Sequence, residues 1–296
     1  MSKQRAWQSW FWFFLKRGFL IFLGVILLLT LLQRHLIYYP TRSGEASLRV
    51  QAEEIGLYPW RDRADAIIGW RTSPPDAASL PRNRMVVFHG NAGFALHRSY
   101  YVHGFHGTSA GRATWELLLF EYPGYGARPG TPGEERICDA ARQALRELLQ
   151  EDSRPIYLLG ESLGSSFASR LAAENAQSVS GLILVTPLTC LADVAAMHYP
   201  FLPVRLMLRE DHNVQDHLKS YPGPVAFLVA GRDEIMRNRL GELLYQRYSG
   251  RKKMWIQAEA QHNTLDFSLG SPWWKEVEDF LQQSNNAFTG AEDYGI

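Results

Sequence analysis

The sequence predicts an α/β architecture, a mostly parallel sheet covered by helices, preceded by one N-terminal transmembrane helix. Three observations carry this. Apolar strand-like runs alternate with helical ones, and several are continuous rather than alternating, such as Ile183-Leu184-Val185 and Ala226-Phe227-Leu228-Val229. Runs of that kind are buried on both faces, as in parallel sheets between helical layers. Second, Gly160-Glu161-Ser162-Leu163-Gly164 stands between a strand-like run at 155–159 and a helical run from 163. Third, residues 18–32 carry no charge.

Charge is nearly balanced over the 296 residues, with 31 Lys+Arg against 30 Asp+Glu. That balance supplies no basic stripe to replace phosphate counterions, so nucleic acid is not an expected partner. Cys138 and Cys190 make no disulfide framework and lack metal-ligand spacing. They read as small apolar residues.

The uncharged run is shorter than the ~20 residues of an ordinary membrane helix. Its flanks extend it. Trp7, Trp10, Phe11, Trp12, Phe13 and Phe14 form an aromatic belt beside Lys16 and Arg17. On the far side Arg34 can snorkel, and Tyr38 and Tyr39 suit the opposite interface. A cleaved signal peptide needs a small-residue cleavage site, and the stretch from Gln33 to Pro40 offers none. The expectation is an uncleaved single-span anchor. Lys3, Arg5, Lys16 and Arg17 precede the span and favour a cytoplasmic N-terminus. The expected organisation is an aromatic and basic segment at 1–17, an anchor at 18–39, a soluble α/β domain at 40–284 and a polar tail at 285–296. Proline-rich residues 72–84 read as a loop inside that domain.

Strands are expected at 65–71, 84–88, 115–121, 155–159, 181–185, 225–230 and 252–257. Helices are expected at 134–150, 163–175, 237–248 and 272–283. Ligands of such sheets bind beyond the carboxyl ends of the strands, and the chemistry-bearing residues stand there. The run ending at Phe88 leads into His89-Gly90-Asn91, and the run ending at Leu159 delivers Ser162. The run ending at Ala230 delivers Asp233, and His262 follows the last run. A serine between glycines at a strand-to-helix turn is a nucleophile elbow, and Ser…Asp…His is the triad order of the α/β-hydrolase fold. Each member has an ordinary explanation taken alone: a glycine turn, a Gly-Arg-Asp-Glu turn, a solvated histidine. None accounts for all three at the correct strand ends. His89 reads as a structural strand-end residue rather than the base.

Over residues 36–281 the chain resembles membrane-anchored α/β-hydrolases of the Bem46 type, within the broader serine aminopeptidase and lysophospholipase-like hydrolases. The resemblance rests on Ile37-Tyr38-Tyr39-Pro40, Phe88-His89-Gly90-Asn91-Ala92-Gly93 and Glu121-Tyr122-Pro123-Gly124-Tyr125-Gly126. It rests equally on Gly160–Gly164, Gly231-Arg232-Asp233-Glu234 and Gln261-His262-Asn263. It implies Ser162 as nucleophile, Asp233 as orienting acid and His262 as base, with the amides of Asn91 and Leu163 as oxyanion donors. Relatives usually follow the acid with a Val-Pro pair, and this chain has Ile235-Met236 instead.

The expected chemistry is cleavage of a carboxylic ester or thioester through an acyl-enzyme, with no metal or organic cofactor, by a monomer. The short interval 188–222 implies a small cap over a fairly open site, with 191–197 as an ordinary packing helix. The apolar run 199–208 together with an anchor favours a lipid-like or acylated substrate. The alternative within the same fold is a serine peptidase or amidase, less favoured because no peptide-recognition features stand out in the sequence. The reading from another class is a catalytically silent, membrane-tethered binding protein on the same fold. Such a chain would typically have lost Ser162, His262 or the elbow glycines, all of which are present.

Overall fold

A computed structural model describes residues 2–73, 80–108 and 111–289. Pro74 and Pro75 of the expected loop, and residues 290–296 of the expected tail, lie outside the described residues. In chain order the elements begin with helix α1 (Ser2–Ile37), strand β1 (Tyr39–Pro40), α2 (Glu45–Glu54), β2 (Tyr58–Arg61), β3 (Ile67–Arg71) and β4 (Asn83–Phe88). There follow β5 (Ala92–Gly93), a 3-10 turn (Ala95–Arg98), α3 (Ser99–Gly107), α4 (Gly111–Thr114), β6 (Trp115–Phe120), α5 (Glu134–Glu151), β7 (Ile156–Glu161) and α6 (Gly164–Glu174). The chain continues through β8 (Val179–Val185), α7 (Leu191–His198), α8 (Val204–Met207), α9 (Val214–Lys219), β9 (Val225–Ala230), α10 (Asn238–Arg247), β10 (Lys252–Gln257) and α11 (Trp273–Thr289).

Eight strands form one sheet in the order β10-β9-β8-β7-β4-β6-β3-β2. The strands from β10 to β6 pair in parallel, and β3 and β2 are antiparallel at one edge. All seven expected strands are present. Successive side chains of a strand point to opposite faces, which divides each continuous apolar run between two cores. Leu158, Leu184 and Phe227 face Ile137 and Leu145 of α5 and Phe167 and Leu171 of α6. Leu159, Ile183 and Leu228 face Tyr101 and Phe105 of α3 and Trp274 and Val277 of α11. This two-sided burial is why the runs do not alternate.

Several elements went unread. Strand β2 is a four-residue edge strand containing Pro59, which weakens the strand pattern. Helix α3 is rich in aromatics and glycine, poor helix formers. Its Gly104 leaves room for the Trp274 ring, which a Cβ at that position would strike.

The expected division at residue 18 has no counterpart, since α1 is one helix from Ser2 to Ile37. Its membrane-compatible stretch, Trp10–Ile37, is 28 residues and contains an 18-residue window with a mean hydropathy of 2.2. At 1.5 Å per residue the whole stretch is ~42 Å, more than the ~30 Å bilayer core. The boundary at 39/40 also falls inside packed structure. Tyr38 is buried rather than interfacial, donating to Glu210 Oε2 at 2.5 Å and lying 3.1 Å from His212 Nε2. Arg34 pairs with Glu210 at 2.8 Å rather than reaching freely toward headgroups. Tyr39 follows as a sheet residue, its amide donating to the Asn91 carbonyl at 2.9 Å.

Candidate active site

Strand β7 ends at Glu161 and α6 begins at Gly164, so Ser162 and Leu163 turn the chain. Ser162 adopts φ 54°, a left-handed value that a non-glycine residue holds only under constraint. Its amide donates to the Val185 carbonyl at 2.8 Å, and its carbonyl accepts from Ser165 N at 3.0 Å. The flanking glycines are required by close approach. A Cβ on Gly160 would lie 2.5 Å from the Gly164 carbonyl oxygen, and one on Gly164 would strike the carbonyl oxygens of Phe88 and His89. The strained turn delivers the hydroxyl to the carboxyl edge of the sheet at the start of a helix.

His262 follows β10 and Asp233 follows β9, and the parallel register of these strands brings both to Ser162. His262 Nε2 lies 3.0 Å from Ser162 Oγ. His262 Nδ1 lies 2.7 Å from Asp233 Oδ2. The Asp233 carboxylate is buried, and its other oxygen accepts from the amides of Ile235 at 2.9 Å and Met236 at 2.8 Å. A proline at 236 has no N–H to give, so the departure from Val-Pro adds a donor that orients the carboxylate. The cap reaches this loop too, through His198 Nε2 at 2.8 Å from the Ile235 carbonyl.

Asn91 and Leu163 line the same cavity as Ser162 and His262. The direction of the Asn91 amide follows from its neighbours. His89 is buried, stacked on Tyr122 with ring centroids 3.8 Å apart, and its Nδ1 lies 2.7 Å from the Gly90 carbonyl. Carbonyl and amide of one trans peptide point in opposite directions. Holding the Gly90 carbonyl toward His89 therefore turns the Asn91 N–H away from it. His89 is structural, as the sequence indicates. On its other side Asn91 is fixed through its own carbonyl, which accepts from Tyr39 N and from Tyr125 Oη at 2.6 Å.

The sequence reading missed a polar group beside the nucleophile. Glu161, between Gly160 and Ser162, accepts from Arg98 Nη2 at 2.8 Å, from Tyr101 Oη at 2.9 Å and from Tyr100 Oη. Burial alone would push the Glu161 carboxyl up, but Arg98 and the two tyrosines hold it below the ordinary carboxylate range. Burial of the Glu121 carboxylate against the Ala95 amide, at 3.0 Å, ties the following turn to β6. Arg98 and Tyr100 sit in a segment with no strand or helix signature, and only the charge of Glu161 inside a glycine elbow pointed to a partner.

These groups open into a cavity of about 530 Å³ whose walls are mostly apolar, within the range of small-molecule sites. Leu191, Val194 and Ala195 of α7 and Val204 and Met207 of α8 line it. Helix α7 packs as its composition suggests, with Leu191 and Val194 partly buried against the core, but it has no fully buried residue and the same side chains line the cavity, so it also serves as a cap helix. Leu29, Thr30, Gln33, Leu36 and Ile37 of α1 line the cavity as well, and no residue pattern in the helix foreshadows that role. The cap is therefore small in its own length but completed by the N-terminal helix.

This fold and site define the class. The profile of the α/β-hydrolase fold matches residues 83–265, and the chain belongs to that family. It is 31% identical over 266 residues to the uncharacterized protein Rv2307c of Mycobacterium tuberculosis, covering 88% of this chain and 91% of that protein. It is more distantly similar to the protein bem46 of Schizosaccharomyces pombe, at 27% identity over 211 residues and 69% of each chain. Among solved structures, the Pyrococcus furiosus esterase Pf2001 superposes with a TM-score of 0.63 at 15% identity, covering 84% of this chain and 98% of that one. Est1E from Butyrivibrio proteoclasticus gives 0.60 at 15% identity, over 78% and 99%.

Proposed function

We propose that this protein is a serine hydrolase that cleaves carboxylic esters or thioesters of lipid-like substrates, anchored in a membrane by α1. The observation that carries the reading is the continuous relay from Ser162 Oγ through His262 to Asp233, with contacts of 3.0 and 2.7 Å, at the floor of an apolar cavity. The likeness to proteins described as esterases supports the choice of an ester over an amide.

In this mechanism Ser162 Oγ attacks the acyl carbonyl while His262 Nε2 takes its proton. Asp233 holds the Nδ1–H tautomer and stabilises the transient imidazolium. The oxyanion accepts from the amides of Asn91 and Leu163, each donor worth ~2.7–4 kcal/mol by comparison with measured holes. His262 returns the proton to the leaving alcohol or thiol, and water, deprotonated by the same imidazole, releases the acid from Ser162. The anchor places the N-terminus on the cytoplasmic side by the distribution of Lys and Arg.

Two measurements test the reading. Purified Ser162→Ala and His262→Ala should each lose p-nitrophenyl ester hydrolysis while remaining folded, and retention of substantial activity in either would refute the triad. The full-length chain should stay in the membrane pellet after carbonate washing. Release into the supernatant would refute the anchor.

A further inference from the structure

The last three turns of α1, where it joins the domain, do more than tether it. Ile26, Leu29 and Thr30 are half-buried and Gln33 and Ile37 are buried, a stripe at helical spacing turned toward the domain while the other residues from Trp10 to Leu36 are exposed. Gln33 locks that stripe to the cap: its Oε1 accepts from Arg209 N at 2.8 Å and its Nε2 donates to the Met207 carbonyl at 3.3 Å. From Leu29 onward the same stripe lines the cavity that holds Ser162 and His262. From Ile37 back to Leu29 the cavity follows α1 for ~12 Å.

The length of α1 sets where this lies. The uncharged run from residue 18 to residue 32 spans ~22 Å, bounded by Lys16 and Arg17 on one side and Arg34 on the other. The pocket-lining part, from Leu29 to Ile37, therefore straddles the far boundary of the hydrocarbon. Beside it the cap presents Tyr199, Phe201 and Leu206, which are 60%, 92% and 89% exposed. Exposed Arg205 and Arg209 flank these side chains. Apolar rings and arginines at one level suit an acyl and headgroup boundary.

We infer that α1 is a wall of the acyl-binding pocket, and that the acyl chain of a bilayer lipid ester enters the site laterally, between α1 and the cap, without leaving the membrane. This rests on reading α1 as a membrane span and deepens the substrate class of the same site. Leu29 and Thr30 would then be contacts of the acyl tail, and Gln33 a positioning residue that keeps the wall closed against the cap.

The test uses the full-length protein in phosphatidylcholine vesicles. Phosphatidylcholine carrying a diazirine at the end of one acyl chain is photolysed with Ser162→Ala protein, which cannot turn it over, and adducts are mapped by mass spectrometry. Adducts at Leu29, Thr30 or Met207 are expected, in addition to those at the lipid-facing residues Leu28 and Leu32. Adducts confined to Leu28, Leu32 and their face would overturn the inference. In parallel, Leu29→Trp in the active protein should lower the ratio of kcat/KM for dodecanoyl over butanoyl esters at least tenfold, whereas Leu32→Trp should leave that ratio unchanged. An unaltered ratio in Leu29→Trp would overturn the inference equally. Pocket-side adducts from a protein that hydrolyses no ester would support the wall and sink the hydrolase reading, so the two fail separately.

Discussion

Replacing Glu210 with glutamine probes how firmly the N-terminal helix is joined to the catalytic domain. The Glu210 carboxyl is buried, and burial alone would push it up. Hydrogen bonds from His212, Tyr38 and Arg34 outweigh that and bring it from an ordinary 4.5 down to about 2. A group whose folded value is depressed contributes stability that is present above its unfolded value and lost as pH falls through the folded one. The shift corresponds to an upper figure of about 3 kcal/mol at neutral pH. Arg34 is 52% exposed, so screening reduces the sum to about 2 kcal/mol. For a domain of this size that is a Tm about 4–8 °C lower in Glu210→Gln at pH 7. The gap should hold down to about pH 5 and shrink by roughly a quarter at pH 4. Thermal unfolding of both proteins in one detergent across this range measures it. Equal melting temperatures at pH 7, or a gap that widens on acidification, would refute the reasoning.

Three further outcomes follow from the same geometry. Asp233→Asn should lower kcat by a factor on the order of 10⁴ in ester hydrolysis, because it favours the wrong imidazole tautomer; sensitivity at Asp211 or Asp216 in its place would relocate the acid. Gly164→Ala should destabilise the domain by about 1–3 kcal/mol or more, since the added methyl meets two β4–β5 carbonyls, and an unchanged denaturation midpoint would contradict the packing of the elbow. Removing residues 1–40 should destabilise and impair the enzyme rather than merely release it, as burial of Ile37 and Tyr38 is worth roughly 1.5–3 kcal/mol for each such side chain; full activity of the shortened protein would show that the helix is only a tether.

The parallel sheet was legible because two-sided burial leaves continuous apolar runs, and the strand ends followed from it. Ser162, Asp233 and His262 could be placed because each follows such a run. Helix α3 and strand β2 escaped because their stability comes from tertiary contacts, the Trp274 ring over Gly104 and the pairing of β2 on β3. The role of α1 escaped for another reason. Leu29 and Thr30 look the same in sequence as their exposed apolar neighbours Leu28 and Leu32, and only the folding of Met207, Arg209 and Glu210 against that face distinguishes them. Tyr38 misled by chemistry, since an aromatic with a polar tip after an apolar run suits a membrane interface and a buried hydrogen bond equally well.

The central claim is that Ser162 is an activated nucleophile, and a fluorophosphonate probe tests it without assuming any substrate. The full-length protein is expected to be labelled stoichiometrically, with the adduct mapping to Ser162. Ser162→Ala should take no label, and His262→Ala should label far more slowly because nothing accepts the hydroxyl proton. A native protein that remains unlabelled, or labelling that persists in Ser162→Ala, would contradict the account.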